Sequence, residues 1–345
     1  MPAELLAETE SSIDLPGADI VSLPILLLHV HEHCNCRCLM CDIWQRKDGK
    51  ELDLADLERH RASMMKLGVR QVVLTGGEPL LHRNLEGILE FLRGCNVWIT
   101  LLTTGLLLAK RADVVAANVD EIIISLDGPE EVHDRVRRVK GAYRLIGEGI
   151  RAVRVRKAGM PIHGRCTVQK ENYGLLRKTV AGAKDLGMDS ISFLAADVTS
   201  QAFNRELVWP EERQRQVVLT RQEVEVLEEE ITWLARENEE DIREGFISES
   251  AEKLWRIARR FREQLGEILP IAPRCNAPWV SAVMEVDGSV RPCFFHKKIG
   301  SAREQTLEEV IHGQEARGFR ASLNVSENAI CQRCVCSLNY KPPQG

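Results

Sequence analysis

Between residues 23 and 194, six short apolar runs alternate with stretches whose apolar residues recur at helical spacing, and this alternation limits the fold more than any other feature. Residues 23–31, 69–74, 97–103, 121–125, 162–168 and 190–194 read as strands. Residues 52–67, 84–93, 107–118, 143–158 and 174–186 read as helices, the first capped by Asp53 and closed by Gly68. Such an order implies a parallel sheet with crossover helices, either an open doubly wound sheet or a partial barrel. Two features favour an α/β fold of the partial (β/α)6 barrel kind. Special residues gather at the carboxyl ends of successive strands, and several strands are polar on one face. In 162–168, Ile162, Gly164, Cys166 and Val168 share one side, leaving His163, Arg165 and Thr167 on the other, as expected of strands lining a substrate cavity.

Beyond the barrel, 23–200, the pattern changes. Residues 201–270 are highly charged, with helical spacing over 221–238 and 248–265, and read as a helical linker whose Trp, Leu and Ile stripe is a packed face. Residues 271–345 hold five of the eleven cysteines. There, 283–286 and 289–294 flank Asp287-Gly288 as a β-hairpin, followed by a short helix over 307–312. Residues 1–22 read as a flexible lead-in with a turn at Pro16-Gly17.

A net charge of -5 leaves no basic footprint for nucleic acid. The basic clusters at 135–140, 151–157 and 256–262 are interleaved with apolar residues and read as solvated helix faces. The first 20 residues carry five acidic side chains and no basic one, unlike a signal peptide, and no apolar run approaches a membrane span. A cytoplasmic location follows as an expectation. In that reducing compartment, closely spaced cysteines hold metal more often than they form disulfides.

The spacing of the cysteines carries the chemistry. Cys34, Cys38 and Cys41 are separated by three and two residues, directly after the first strand. Three thiolates there can hold an iron-sulfur cluster and leave one iron open. A structural zinc knuckle is the alternative, with His31 or His33 as a fourth ligand and Cys36 as a competitor. Thr75-Gly76-Gly77-Glu78-Pro79 ends the second strand, where the glycines admit close backbone approach and the carboxylate can meet an ammonium group. Ser125-Leu126-Asp127-Gly128 ends the fourth, offering a hydroxyl and a carboxylate to a ribose or forming a capped turn. Arg165 faces the cavity, suited to a carboxylate or to a structural salt bridge. Cys95 and Cys166 lie in apolar stretches and read as small buried hydrophobes.

In this order the motifs resemble the radical S-adenosylmethionine (SAM) superfamily, over about residues 23 to 340. The resemblance implies a SAM-binding 4Fe-4S cluster on Cys34, Cys38 and Cys41, with the SAM amino group at Gly76, Gly77, Glu78 and Pro79. It also implies the ribose at Ser125 and Asp127 and the SAM carboxylate at Arg165. Two positions depart from the pattern: Met40 stands where an aromatic residue often precedes the last cysteine, with Trp44 nearby, and Thr104 replaces an Asn common in relatives.

Cys275, Cys293, Cys331 and Cys334 resemble the auxiliary-cluster region called SPASM, or its shorter form, twitch. One auxiliary 4Fe-4S cluster is implied, with Cys336 able to replace Cys334 and a four-cysteine zinc site as the alternative. The resemblance further implies an electron donor such as flavodoxin or ferredoxin, homolysis of SAM to a 5'-deoxyadenosyl radical, and hydrogen abstraction from a peptide or small metabolite, for oxidation or cross-linking. About 22 residues before the first strand are too few for a leader-binding domain, so a separate protein presents the peptide or the substrate is small. The Pro-Pro-Gln-Gly end differs from the paired glycine tail of the GTP-rearranging relative. A non-catalytic zinc-binding interaction protein is the competing expectation.

Overall fold

The computed structural model describes residues 17–46, 49–202 and 207–341. The first sixteen residues of the expected lead-in, Pro16 included, lie outside the described residues. Strand β1 (Ile25–His31) leads through helices α1 (Leu54–Glu58) and α2 (Arg61–Lys66) to β2 (Gln71–Gly76). Helix α3 (Leu85–Gly94) and β3 (Trp98–Thr103) follow, then α4 (Ala112–Asn118) and β4 (Glu121–Ser125). Two helices, α5 (Glu130–Arg137) and α6 (Ala142–Arg156), precede β5 (Ile162–Val168), and α7 (Leu176–Asp185) precedes β6 (Ser190–Ala195). The six strands lie side by side in chain order and are all parallel, the arrangement of a partial β/α barrel.

After β6 come α8 (Glu211–Gln214), α9 (Arg221–Glu237), α10 (Glu239–Arg243) and α11 (Ala251–Gln264). The C-terminal unit holds α12 (Ala277–Val280), β7 (Ser281–Met284), β8 (Ser289–Arg291), β9 (Gly300–Ser301), α13 (Leu307–His312), α14 (Gln314–Ser322) and α15 (Ala329–Gln332). The expected hairpin is present, with Val283 opposite Arg291, Met284 opposite Val290, and Gly288 at a φ of 84° in its turn. Its β7 strand also pairs in parallel with β1, giving one nine-stranded sheet in the order β6-β5-β4-β3-β2-β1-β7-β8-β9. The hairpin is therefore continuous with the barrel sheet.

Burial alternates along the strands as the period-two pattern demands. In β5, Ile162, Gly164, Cys166 and Val168 are buried, while His163, Arg165 and Thr167 are half-buried on the other face. Val72, Leu74, Ile99, Leu101, Ile122 and Ile124 continue the buried layer in the neighbouring strands. The edge of β6 is covered: Ile191 N donates to Phe246 O at 2.7 Å and Ser248 N donates to Ile191 O at 2.9 Å. Helices α9 and α11 hold that covering segment in place through Leu227, Ile231, Leu254 and Phe261, all fully buried.

Two local expectations are corrected. The single helix over 52–67 is broken at Arg59-His60, and His60 Nδ1 there accepts from Leu307 N of the C-terminal unit at 3.3 Å. Asp53 does cap α1, accepting from Ala55 N at 2.9 Å. Helix α5 runs from Glu130 to Arg137, so the helix whose face was read over 135–140 begins earlier and ends before Arg138.

Leu28 is fully buried at the centre of β1, level with Leu74 on one side and Met284 on the other. Leu28→Ala should lower unfolding stability by about 2–5 kcal/mol, read as a reduced urea midpoint.

Candidate active site

The cysteine loop starts where β1 ends. Pairing between β1 and β2 shifts register between His29 and His31, and this irregularity turns the chain out of the sheet just before Cys34. The Gly76-Gly77 stretch then holds the loop from the side: Gly77 N donates to His31 O and Glu78 N to His33 O, both at 2.7 Å. A Cβ at Gly77 would overlap the His33 carbonyl oxygen, and one at Gly76 the His31 carbonyl oxygen. The glycines are thus demanded first by the approach of this backbone to the cysteine loop.

Glu78 and Pro79 are buried, so the accessible part of the motif is the glycine backbone. The Glu78 carboxylate faces the end of β3. It accepts from Leu80 N at 3.0 Å, Thr103 Oγ1 at 2.7 Å, Thr104 N at 2.6 Å and Thr104 Oγ1 at 2.6 Å. Burial pushes its carboxyl above the usual range against the pull of these donors. The Thr104 hydroxyl, in place of the common Asn, also lies 3.0 Å from the Asn35 side-chain amide, which brings the third strand end against the cysteine loop.

Within the loop Cys36 and Cys38 are buried, and Cys34 and Cys41 are half-buried. Cys36 bridges by hydrogen bonds to Cys34 and Cys38, which push its thiol up, while the bond from Cys36 holds the Cys38 thiol down at about 6. Burial pushes Cys41 up to about 12. Met40 packs inward, where Gln169 Nε2 lies 3.4 Å from its sulfur. The Trp44 indole donates to Cys41 O at 2.8 Å. Asp42, the next residue after Cys41, accepts from Trp209 Nε1 at 2.6 Å and Arg213 at 2.7 Å, so the segment leading into α8 is strapped over the loop.

Asp127 has partners other than the ribose expected of it. It is fully buried, lies 2.6 Å from Arg137 Nε, and accepts from Thr167 N at 3.0 Å. Arg137 in turn donates to Cys38 Sγ at 3.5 Å. This corrects the reading of 135–140 as a solvated face: Arg135 is exposed, but Arg137 is buried against the cysteine loop. The helix that carries it was legible in Pro129, Glu130 and Glu131 at its start and in the Val132/Val136 spacing.

The inner face of the barrel is polar. Gln71, Thr100, Glu121, His163 and Ser190 form a chain of contacts across five strands, at 2.9, 2.8, 3.3 and 2.7 Å in turn. Nearer the carboxyl ends, Ser125 and Arg165 are register partners, both half-buried, and Arg165 Nε donates to Ser192 Oγ at 3.3 Å. Two further residues on this wall went unnoticed in the sequence. Glu249, raised to about 6 by burial, accepts from Phe193 N at 2.9 Å and lies within electrostatic range of Arg165. His29, lowered to about 4 by burial and by Arg291 and Arg46, stands with its ring 5.5 Å from that of Phe294.

Phe294 adjoins Cys293, and this joins the second cysteine group to the barrel. Cys293, Cys331, Cys334 and Cys336 each lie within electrostatic range of Cys275, and Cys336 also of Arg165. Burial pushes Cys293 up to about 11 and Cys331 to about 12. Asn276 anchors the chain beyond them, donating to Tyr340 O at 2.7 Å and accepting from Tyr340 N at 3.0 Å. Among the described residues no three His, Cys, Asp or Glu side chains converge tightly enough to hold a single metal ion. The donor chemistry of both groups, soft thiols crowded together in partly buried loops, fits iron-sulfur clusters, each of whose thiolates binds its own iron. Of the remaining cysteines, Cys166 is buried in the core and Cys95 half-buried against it.

Residues 28–181 match the radical SAM superfamily, and residues 275–335 match SPASM, an iron-sulfur cluster-binding domain. The chain therefore carries a radical SAM domain followed by a SPASM domain, the architecture of a radical SAM/SPASM-type enzyme rather than of a non-catalytic zinc protein. A probable GTP 3',8-cyclase of Methanopyrus kandleri is 32% identical over 153 residues, 41% of this chain and 48% of that protein. The chain thus spans about half the length of that relative. A probable GTP 3',8-cyclase of Metallosphaera sedula is 27% identical over 91% of this chain and 95% of its own length. SuiB of Streptococcus suis, in a crystal structure bound to precursor peptide SuiA, shares the fold at a TM-score of 0.64 and 16% identity, covering 93% of this chain and 73% of that one. No helix among the described residues is long and apolar enough to cross a membrane.

Gly77→Ala should displace the entry to the cysteine loop. It should lower stability by about 1–3 kcal/mol and reduce the iron retained after anaerobic reconstitution, checked by a denaturation midpoint and an iron assay on the same preparation.

Proposed function

We propose that this chain reductively cleaves SAM and abstracts a hydrogen atom from a peptide or small metabolite, leading to its oxidation or cross-linking. One observation carries the reading: a polar barrel wall, with Arg165 on β5 and His29 on β1, reaches toward the second thiol group from strands whose carboxyl ends also frame the first. Cys34, Cys38 and Cys41 would hold a 4Fe-4S cluster with one open iron, and Cys275, Cys293, Cys331 and Cys334 an auxiliary one, Cys336 being near enough to replace Cys334. When bound and reduced, the first cluster supplies the electron that breaks a carbon–sulfur bond of SAM.

The chain's own residues bind and orient. The half-buried Gly76-Gly77 backbone offers main-chain groups to the SAM amino end, while Glu78 and the adjoining Pro79 keep that backbone in place. Ser125 and Arg165, side by side, offer a hydroxyl and a guanidinium to the ribose and the carboxylate. Asp127 supports the site through Arg137. Residues 23–200 then serve as the SAM-cleaving barrel, 201–270 as the helical bridge and 271–345 as the auxiliary-cluster unit. The names of the cyclases point to a nucleotide and the SuiB complex to a peptide. Either would meet hydrogen-bonding groups on this wall, from Thr100 to Ser192. A flavodoxin or ferredoxin in the reducing cytoplasm would supply the electron.

Anaerobically reconstituted protein given SAM and a strong reductant should form 5'-deoxyadenosine. Replacing Cys34, Cys38 and Cys41 together by Ala should abolish it, and persistence of the product in that variant would reject the ligand assignment.

A further inference from the structure

One cation faces the cysteine loop from within the protein, and no motif of the SAM site accounts for it. Arg137 is 8% exposed, and its guanidinium donates to Cys38 Sγ at 3.5 Å while its Nε lies 2.6 Å from the fully buried Asp127. Each side of this contact is held independently. Asp127 Oδ1 accepts from Thr167 N at 3.0 Å, the Asp127 amide donates to His133 Nδ1 at 3.1 Å, and its carbonyl accepts from Asn172 Nδ2 at 2.9 Å. The backbone at the end of α5 is laced to the loop as well: Arg37 N donates to Arg137 O at 3.1 Å and Leu39 N to Val136 O at 3.2 Å. Directly after Arg137, Arg138 adopts a left-handed conformation with φ of 55°, an unfavourable state for a residue with a Cβ, here maintained by that lacing.

A cation and an N–H aimed at a ligand sulfur stabilise the more negative, reduced state of a cluster, because the added electron spreads onto the sulfurs. We infer that Arg137, fixed by Asp127, is a positioning residue that raises the reduction potential of the cluster held by Cys34, Cys38 and Cys41, easing the one-electron reduction that must precede SAM cleavage. Asp127 acts only through Arg137. This inference rests on the proposed function, since it takes Cys38 as a cluster ligand.

The test is a redox titration of the SAM-responsive cluster by electron paramagnetic resonance (EPR) in full-length protein, with iron and sulfide measured on each sample. Arg137→Gln should shift the midpoint to more negative potential. Because that change leaves Asp127 buried and unpaired, the double variant Asp127→Asn with Arg137→Gln is titrated too, with the same direction expected. Arg137→Lys, which retains the charge without the fork, should fall between wild type and Arg137→Gln. Arg135→Gln, an equal charge loss at an exposed position of the same helix, should leave the midpoint unmoved. An unchanged midpoint in Arg137 variants with full iron content would overturn the inference, as would an equal shift in Arg135→Gln. Folded Arg137 variants that all fail to hold a cluster would overturn it in favour of a role in assembly alone. A wild-type protein without a Cys38-dependent cluster would instead overturn the functional reading on which it rests.

Discussion

Strand β1 is hydrogen-bonded along both edges, to β2 on one side and to β7 on the other, and the geometry of both cysteine groups depends on that double pairing. A parallel strand buried on two edges cannot slip by one residue without turning its apolar face, Leu26, Leu28 and Val30, toward the cavity. Its end is therefore a fixed point. The Cys34 loop leaves from it, the Gly76-Gly77 backbone closes on it, and β7, whose hairpin partner β8 leads to Cys293, is aligned against it. The C-terminal unit is positioned through the same strand that positions the Cys34 loop, so the two thiol groups share one frame.

Around this fixed point lies a set of buried polar groups that a protein without a site to support would have little reason to keep. Glu78 and Asp127 are both fully buried, and desolvating a carboxylate costs several kcal/mol unless donors surround it. Glu78 meets that cost with Leu80, Thr103 and Thr104, and Asp127 with Arg137 and Thr167. Each ties the end of one strand to the next: Glu78 joins β2 to β3, and Asp127 joins β4 to β5. The carboxyl rim of the barrel is thereby stiffened in the region that frames the cysteine loop. This suits radical chemistry, in which the protein must orient the substrate and keep the radical from side reactions.

Much of this was legible from residue order. The six strands, the polar face of β5, the capping by Asp53 and the hairpin about Asp287-Gly288 follow from period, turn chemistry and caps, which are local. What escaped was long-range. Nothing near Ser281 says that β7 will lie in parallel beside β1, because beyond a minimum of about a dozen residues the crossover between parallel partners has no set length. Glu78 sits in a motif that points to a ligand, and the threonines that take its carboxylate come from the next strand. Helix α5 is short and charged, with only Val132 and Val136 to mark its face, and a guanidinium in a basic run reads as solvated until the fold places Arg137 beside Cys38 and Asp127.

The central claim is that the loop at the end of β1 carries a cluster with an open iron to which SAM binds, apart from a second cluster that SAM does not touch. It is tested most directly by EPR of the reduced protein with and without SAM, compared with the variant lacking Cys34, Cys38 and Cys41. The account predicts iron and sulfide of about eight each per wild-type chain, one signal that changes on adding SAM, and only the SAM-insensitive signal in the variant. A variant that keeps the SAM-responsive signal, or a wild-type protein whose signals ignore SAM, would contradict it.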